Sequence, residues 1–154
     1  MKISELENAP QWLLDARTYN ANVEIINSAV FWNGGDWFDG IWHGGVWNDG
    51  SWHDGIWNDG VWYGGVWNGG IRNGGVWRDG EILGNKSTIQ PISIHGLRWL
   101  VIISGHMMRI GCQTHSLSTW AGFSDTEIEG MHQDALKFWN EHKVFLLSLA
   151  QERP

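Results

Sequence analysis

The sequence predicts a mainly β protein: a β-solenoid closed by an N-terminal cap and followed by a small C-terminal α+β module. Three observations carry this reading. From Phe31 to Gly80 the chain is ten pentads laid end to end, with Trp at nine of the ten second positions and Gly at every fifth. Fifteen of those fifty residues are Gly, which excludes a helix at roughly 1 kcal/mol apiece relative to Ala. Beyond the array the pattern changes to a short apolar run, Trp99 to Ile103, and then to helical spacing introduced by Ser124 and Glu127 at capping-box separation. A fixed short period marks a repeat architecture.

A period of five suits neither regular element. In a helix it scatters the tryptophans around the cylinder, and in a straight strand it places successive ones on opposite sides. The chain must therefore bend once per pentad, and a short strand followed by a Gly-mediated corner does so. Repeated, this gives flat β faces with three or four pentads to a coil. The register follows by elimination. With the tryptophans outward, Asp39, Asp49, Asp54, Asp59 and Asp79 would be buried without partners. With Trp32, Trp37, Trp42, Trp47, Trp52, Trp57, Trp62, Trp67 and Trp77 inward, the one comparable fault is Arg72. The outer side then carries Ile41, Val46, Ile56, Val61, Val66, Ile71 and Val76 beside Asn33, Asn48, Asn58, Asn68 and Asn73. β-branched residues suit a pleated strand face in any case, and an exposed apolar row also marks an association surface, so the Ile and Val positions are the interface candidates.

Residues 1–30 read as the cap and a lead-in strand. Ser4 to Arg17, with Leu6, Trp12, Leu13 and Leu14 interrupted by Pro10, reads as a short helix or turn-helix, and Asn22 to Phe31 as a strand entering the first pentad. A solenoid's first coil exposes backbone and core, so a cap is physically required. Residues 31–85 form the solenoid. Residues 86–154 read as the module, with strands at Ile92 to His95, Arg98 to Ser104 and His106 to Gly111. A helix follows near Asp125, and a longer one runs from Met131 to Gln151.

The 154 residues, 42% hydrophobic with net charge −7, suffice for a packed core. Charge is uneven: residues 31–85 hold seven acids against two bases, whereas 86–154 balance six against six. An acidic array is a poor match for phosphates, and nucleic acid is not an expected ligand. No basic segment followed by an apolar run opens the chain, and no eighteen apolar residues occur in succession, so neither a signal peptide nor a membrane span is expected. Cys112 is the only cysteine, which excludes an internal disulfide and is compatible with a reducing compartment.

Two stretches resemble known families. The array is similar to Trp/Gly-rich relatives of the pentapeptide-repeat proteins, with Trp in the central place and Gly in the small one. That resemblance implies a right-handed β-helix with four pentads per coil. The second half, through Trp99-Leu100-Val101, His106, Ile110-Gly111-Cys112, His115, Trp120, Phe123-Ser124-Asp125, Ile128, Met131, Ala135-Leu136, Trp139 and Lys143, resembles a module of unknown activity that follows such repeats in bacteriophage and bacterial proteins. Together the resemblances cover about two thirds of the chain.

Few constellations suggest chemistry. Cys112 and His115 stand at Cys-x-x-His spacing with His106 nearby, which is half of a zinc ligand set, and no second cysteine completes it. The expected reading is no metal, with Cys112 a small buried hydrophobe and the histidines hydrogen-bonded locally. Cys112 with His115 as base lacks a visible third, orienting group, and no catalytic residue or cofactor is expected. His43, His53, Phe38 and Tyr63 occupy outward third positions; a sugar platform there would require the Trp register to be reversed. The functional expectation is a non-enzymatic structural or protein-interaction module, bacteriophage-encoded, self-associating or meeting another protein, and located in the host cytoplasm or the virion. The alternatives are a DNA mimic that inhibits a DNA-binding enzyme and a carbohydrate or cell-surface binding module.

Overall fold

A computed structural model describes residues 3–151; the first two residues of the expected 1–30 segment and the last three of 86–154 lie outside the described residues. A 3-10 turn at Ile3–Glu5 and helix α1 (Gln11–Asp15) lead into strand β1 (Arg17–Ile26), which turns back antiparallel on β2 (Ala29–Asp39). The expected single strand from Asn22 to Phe31 is thus two strands. Asn27 and Ser28, both with positive φ (50° and 67°), form the two-residue turn, and Asn is among the few residues that enter this region readily.

From β2 onward the array builds a solenoid of about three turns. Its strands are two residues each: β3 (Ile41–Trp42), β4 (Val46–Trp47), β5 (Ser51–Trp52), β6 (Ile56–Trp57), β7 (Val61–Trp62), β8 (Val66–Trp67), β9 (Ile71–Arg72), β10 (Val76–Trp77) and β11 (Glu81–Ile82), with β12 (Asn85–Lys86) antiparallel to β11. All pairings along the array are parallel and step by fifteen residues: Trp32 opposite Trp47, Trp37 opposite Trp52, Trp42 opposite Trp57. A coil is therefore three pentads, not the four that the resemblance implied. Face one holds the start of β2 with β4, β7 and β10; face two the end of β2 with β5, β8 and β11; face three β3, β6 and β9. The eleven-residue β2 spans two faces and joins their strands into one bent sheet.

Indole size accounts for the triangular section. Successive tryptophans along the chain meet edge to face, 5.8 Å apart and 72–75° between planes, so three rings close the cross-section. Between coils they stack in parallel columns: Trp32, Trp47, Trp62 and Trp77 at 4.7, 4.8 and 5.3 Å, and Trp37, Trp52 and Trp67 at 5.0 Å. Eight of these rings are wholly buried and Trp77 nearly so. None of the eight buried Nε1 groups finds an acceptor among the described residues, at about 1–3 kcal/mol each. Burying roughly 200 Å² of ring at about 25 cal/mol per Å² gives about 5 kcal/mol, so burial prevails.

The fifth-position glycines are obligatory for two reasons, both visible at Gly60. Its φ is +118°, and a Cβ there would strike the carbonyl oxygen of Gly45 in the coil before. That same oxygen accepts the Val61 N–H at 2.9 Å, so a rung of the solenoid is at stake. The N-terminal end is closed by β1 lying along β2 and by Leu13, Val23 and Val30, all buried. At the far end Ile82 continues the Trp67 column, and Trp77 Nε1 donates to the Ser87 carbonyl at 2.9 Å.

The C-terminal part is an antiparallel meander, β13 (Ile92–Ile94), β14 (Val101–Ser104), β15 (Met107–Ile110) and β16 (Gln113–Ser116), with helices α2 (Leu117–Gly122), α3 (Asp125–Glu129) and α4 (Ala135–Gln151). The apolar run of β14 is explained by burial on both sides. Val101 and Ile103 pack with Met108, Trp120, Phe138 and Trp139 beneath the helices, while Ile102 joins the solenoid core. Ser124 and Glu127 form the capping box at the start of α3, and the backbone and side-chain hydrogen bonds from Ser124 hold the Glu127 carboxyl below its ordinary value. Strand β16 and helix α2 are additions to the sequence reading, and α4 begins at Ala135, later than the expected Met131. No helix of the described residues is long and apolar enough to cross a membrane.

Candidate functional site

The fifteen-residue period decides what each side of the solenoid presents. Successive first positions fall on successive faces, so the seven Ile and Val positions are not one row, as the sequence reading had them. Face one carries Phe31, Val46, Val61 and Val76 in register. Face three carries Ile41, Ile56 and Ile71. Val66 stands on face two in a polar column with Asp36, Ser51 and Glu81. Ile41 and Val76, at the ends of their columns, are exposed, and those between are half-buried by their neighbours.

Third positions form ladders beside them. Asn48 Nδ2 donates to Asn33 Oδ1 and Asn73 Nδ2 to Asn58 Oδ1, each at 2.8 Å. On face two the Phe38 and His53 rings stack at 4.7 Å, and His53 Nε2 lies 3.0 Å from Asp36 Oδ1. His43 lies against Trp12 of α1, and Tyr63 is exposed. The corner aspartates brace the turns, since Asp39, Asp49, Asp54, Asp59 and Asp79 each accept the N–H of the following glycine at 2.8–2.9 Å. On face one the fourth positions alternate Gly34, Asp49, Gly64, Asp79, which sets the carboxylates two coils apart, roughly 10 Å and near a Debye length.

Arg72 takes the place of a third indole in the face-three column. Its guanidinium lies 5.0–5.2 Å from the rings of Trp57, Trp67 and Trp77. Burial lowers its pKa to about 10. Its three nitrogens have no hydrogen-bond partner among the described residues, so the ring faces are what offset its desolvation.

The candidate ligands His106, Cys112 and His115 do not converge. His106 precedes β15 and Cys112 follows it, at opposite ends of one strand. Cys112 is exposed in the turn between β15 and β16, which corrects its expected burial, and His115 Nε2 bonds Gln113 Oε1 at 2.9 Å with its ring against Trp120 and Phe123. Among the described residues no group of three His, Cys, Asp or Glu gathers.

A feature that sequence reasoning missed lies in the C-terminal part, a cavity of about 110 Å³ beneath the helices. Trp99, Trp120, Phe138, Trp139, Cys112 and His132 all line it. They come from five separate segments with no local pattern, and a cluster of aromatics in the second half was its only sign. Where solenoid and sheet meet, Arg109 of β15 donates to the carbonyls of Asn68 at 2.6 Å and Gly111 at 2.8 Å.

No family model, no curated protein and no solved structure matches the chain.

Proposed function

We propose that the protein is a non-enzymatic scaffold and protein-interaction module, in which the solenoid is a rigid body that associates with a second copy of itself through face one. The observation that supports this is the distribution of side chains around the triangle. The tryptophan columns are internal, so the array offers partners its first- and third-position ladders. At its first positions face one is apolar on every rung from Phe31 to Val76, bordered by Asn33, Asn48, Tyr63 and Arg78 at the third, and Val76 is 41% exposed. The other faces are occupied: α1 lies against β3 and β13 against β9 on face three, while Arg109 reaches Asn68 on face two. An apolar column with a polar border on a flat β surface is the kind that pairs with its copy.

The same distribution favours this reading over its rivals. Carbohydrate recognition calls for outward tryptophans, and those of the array are inside. DNA mimicry calls for a continuous acidic row, whereas the corner carboxylates bond glycine N–H groups and are dispersed over three corners. Sedimentation across a wide concentration range tests the proposal. Self-association is expected for the native chain, and Val61→Glu should abolish it without changing the near-UV signal of the stacked indoles. A monomer at every concentration would overturn the reading.

A further inference from the structure

The aromatic cavity of the C-terminal part has the features of a built site. Its inner wall is Trp120 from α2 with Phe138 and Trp139 from α4, all buried. Trp99 makes the side wall and is seated there by a glycine. A Cβ on Gly111 would come within 3.2 Å of Trp99 Cδ1, and the φ of +59° already disfavours any other residue. The rim is polar, and its hydrogen bonds fix which way it is polar. Gln113 uses Oε1 on His115, which leaves its amide N–H groups to donate. His132 accepts the Asp134 backbone N–H through Nδ1 at 3.0 Å, which leaves Nε2 to carry the proton. The rim thus presents donors, and among the described residues neither a carboxylate nor a lysine lines the space.

The geometry points to a binding site for a neutral single-ring aromatic molecule bearing one acceptor such as a carbonyl, with the ring among Trp99, Trp120 and Phe138 and the acceptor at the Gln113 and His132 rim. Size sets the upper limit. A cavity of about 150 Å³ accommodates benzene in other proteins, so about 110 Å³ with an open mouth takes one ring and leaves its substituent outside. The lining sets the chemistry: an aromatic wall rewards a flat π system placed edge to face, and few convergent polar groups fix its orientation. This site is separate from the association surface on face one and stands or falls independently of it.

The chain carries its own reporter, because Cys112 on the rim is the only cysteine and is exposed. In the intact 154-residue chain, acetophenone should slow alkylation of Cys112 by iodoacetamide in a saturable manner. Ethylbenzene, of like shape without the acceptor, should require about five-fold higher concentration, the worth of one hydrogen bond. Ala135→Leu, which fills the cavity from α4, should abolish the protection while the indole signal of the solenoid stays intact. Gln113→Leu should bring acetophenone towards the level of ethylbenzene. Saturation transfer from protein to the ring protons of acetophenone reads occupancy without the thiol. Absence of both protection and transfer up to the solubility limit, or protection undiminished in Ala135→Leu, would overturn the proposal; equal potency of the two compounds would overturn its polar half.

Discussion

At the scale of single residues, Arg72 shows how a core of stacked rings accepts a charge. Three ring faces surround it, yet its N–H groups have no partner among the described residues. Even a buried ion pair, whose charges compensate each other, is often replaced by hydrophobes of similar volume with a gain of up to about 4 kcal/mol; for the unpaired Arg72 the lost cation–π attraction, about 2 kcal/mol when desolvated, works against such a gain. Arg72→Met is therefore expected to gain at most about 2 kcal/mol in urea unfolding. The sign of the pH dependence follows from a base whose folded pKa is lowered to about 10. The unfolded chain keeps its proton to higher pH, so stability contributed by this site is flat below about pH 10 and rises above it. The gap between variant and wild type should be constant below about pH 10 and narrow beyond. From the sequence, Arg72 was legible as the one misfit of the inward register. Its cage was not, because the rings belong to positions five residues before and after it and to Trp57 one coil back.

At the scale of elements, the corner is the unit on which the array depends. Gly60→Ala forces a left-handed residue and a collision with the coil before, and a loss of at least about 3 kcal/mol in urea unfolding is expected, above the ~1–2 kcal/mol of the backbone conformation alone. Gly44→Asn is the counter-case: its Cβ meets nothing within 4 Å. Its amide oxygen is expected to accept the next N–H as the aspartates do, for a change between neutral and about 1 kcal/mol stabilising. Here periodicity revealed much, since corners recur at every fifth residue and alternation within a pentad settles which side chain faces in. It failed where an element lacked a period. Strand β16, Gln113–Ser116, is polar throughout, and α2 buries only Trp120, so neither left an amphipathic trace. The β1–β2 turn at Asn27–Ser28 was masked by apolar residues on both sides of it.

At the scale of the whole molecule, two cores meet across one strand. Ile102 points to the solenoid while Val101 and Ile103 point to the helices, and a sequence displays that only as an uninterrupted apolar run. Eleven of the thirteen tryptophans are buried and the other two half-buried. Native emission is expected to be blue-shifted and poorly quenched by acrylamide, and the parallel columns should give an exciton couplet in circular dichroism that disappears in one step on unfolding. Red-shifted, readily quenched emission would contradict the inward packing. The cavity under the helices was the part least legible beforehand, because its walls come from residues far apart in the chain and owe their meeting to tertiary packing.

The fifteen-residue coil also makes length a quantised variable for this architecture. Excising one pentad leaves every corner intact but turns all that follows by a third of a revolution, so that whatever is attached at the end points in another direction. Excising three shortens the rod by a single rung of about 4.8 Å and preserves the bearing of its cargo. The architecture can thus change reach in whole turns, and it re-aims what it carries whenever it changes by less.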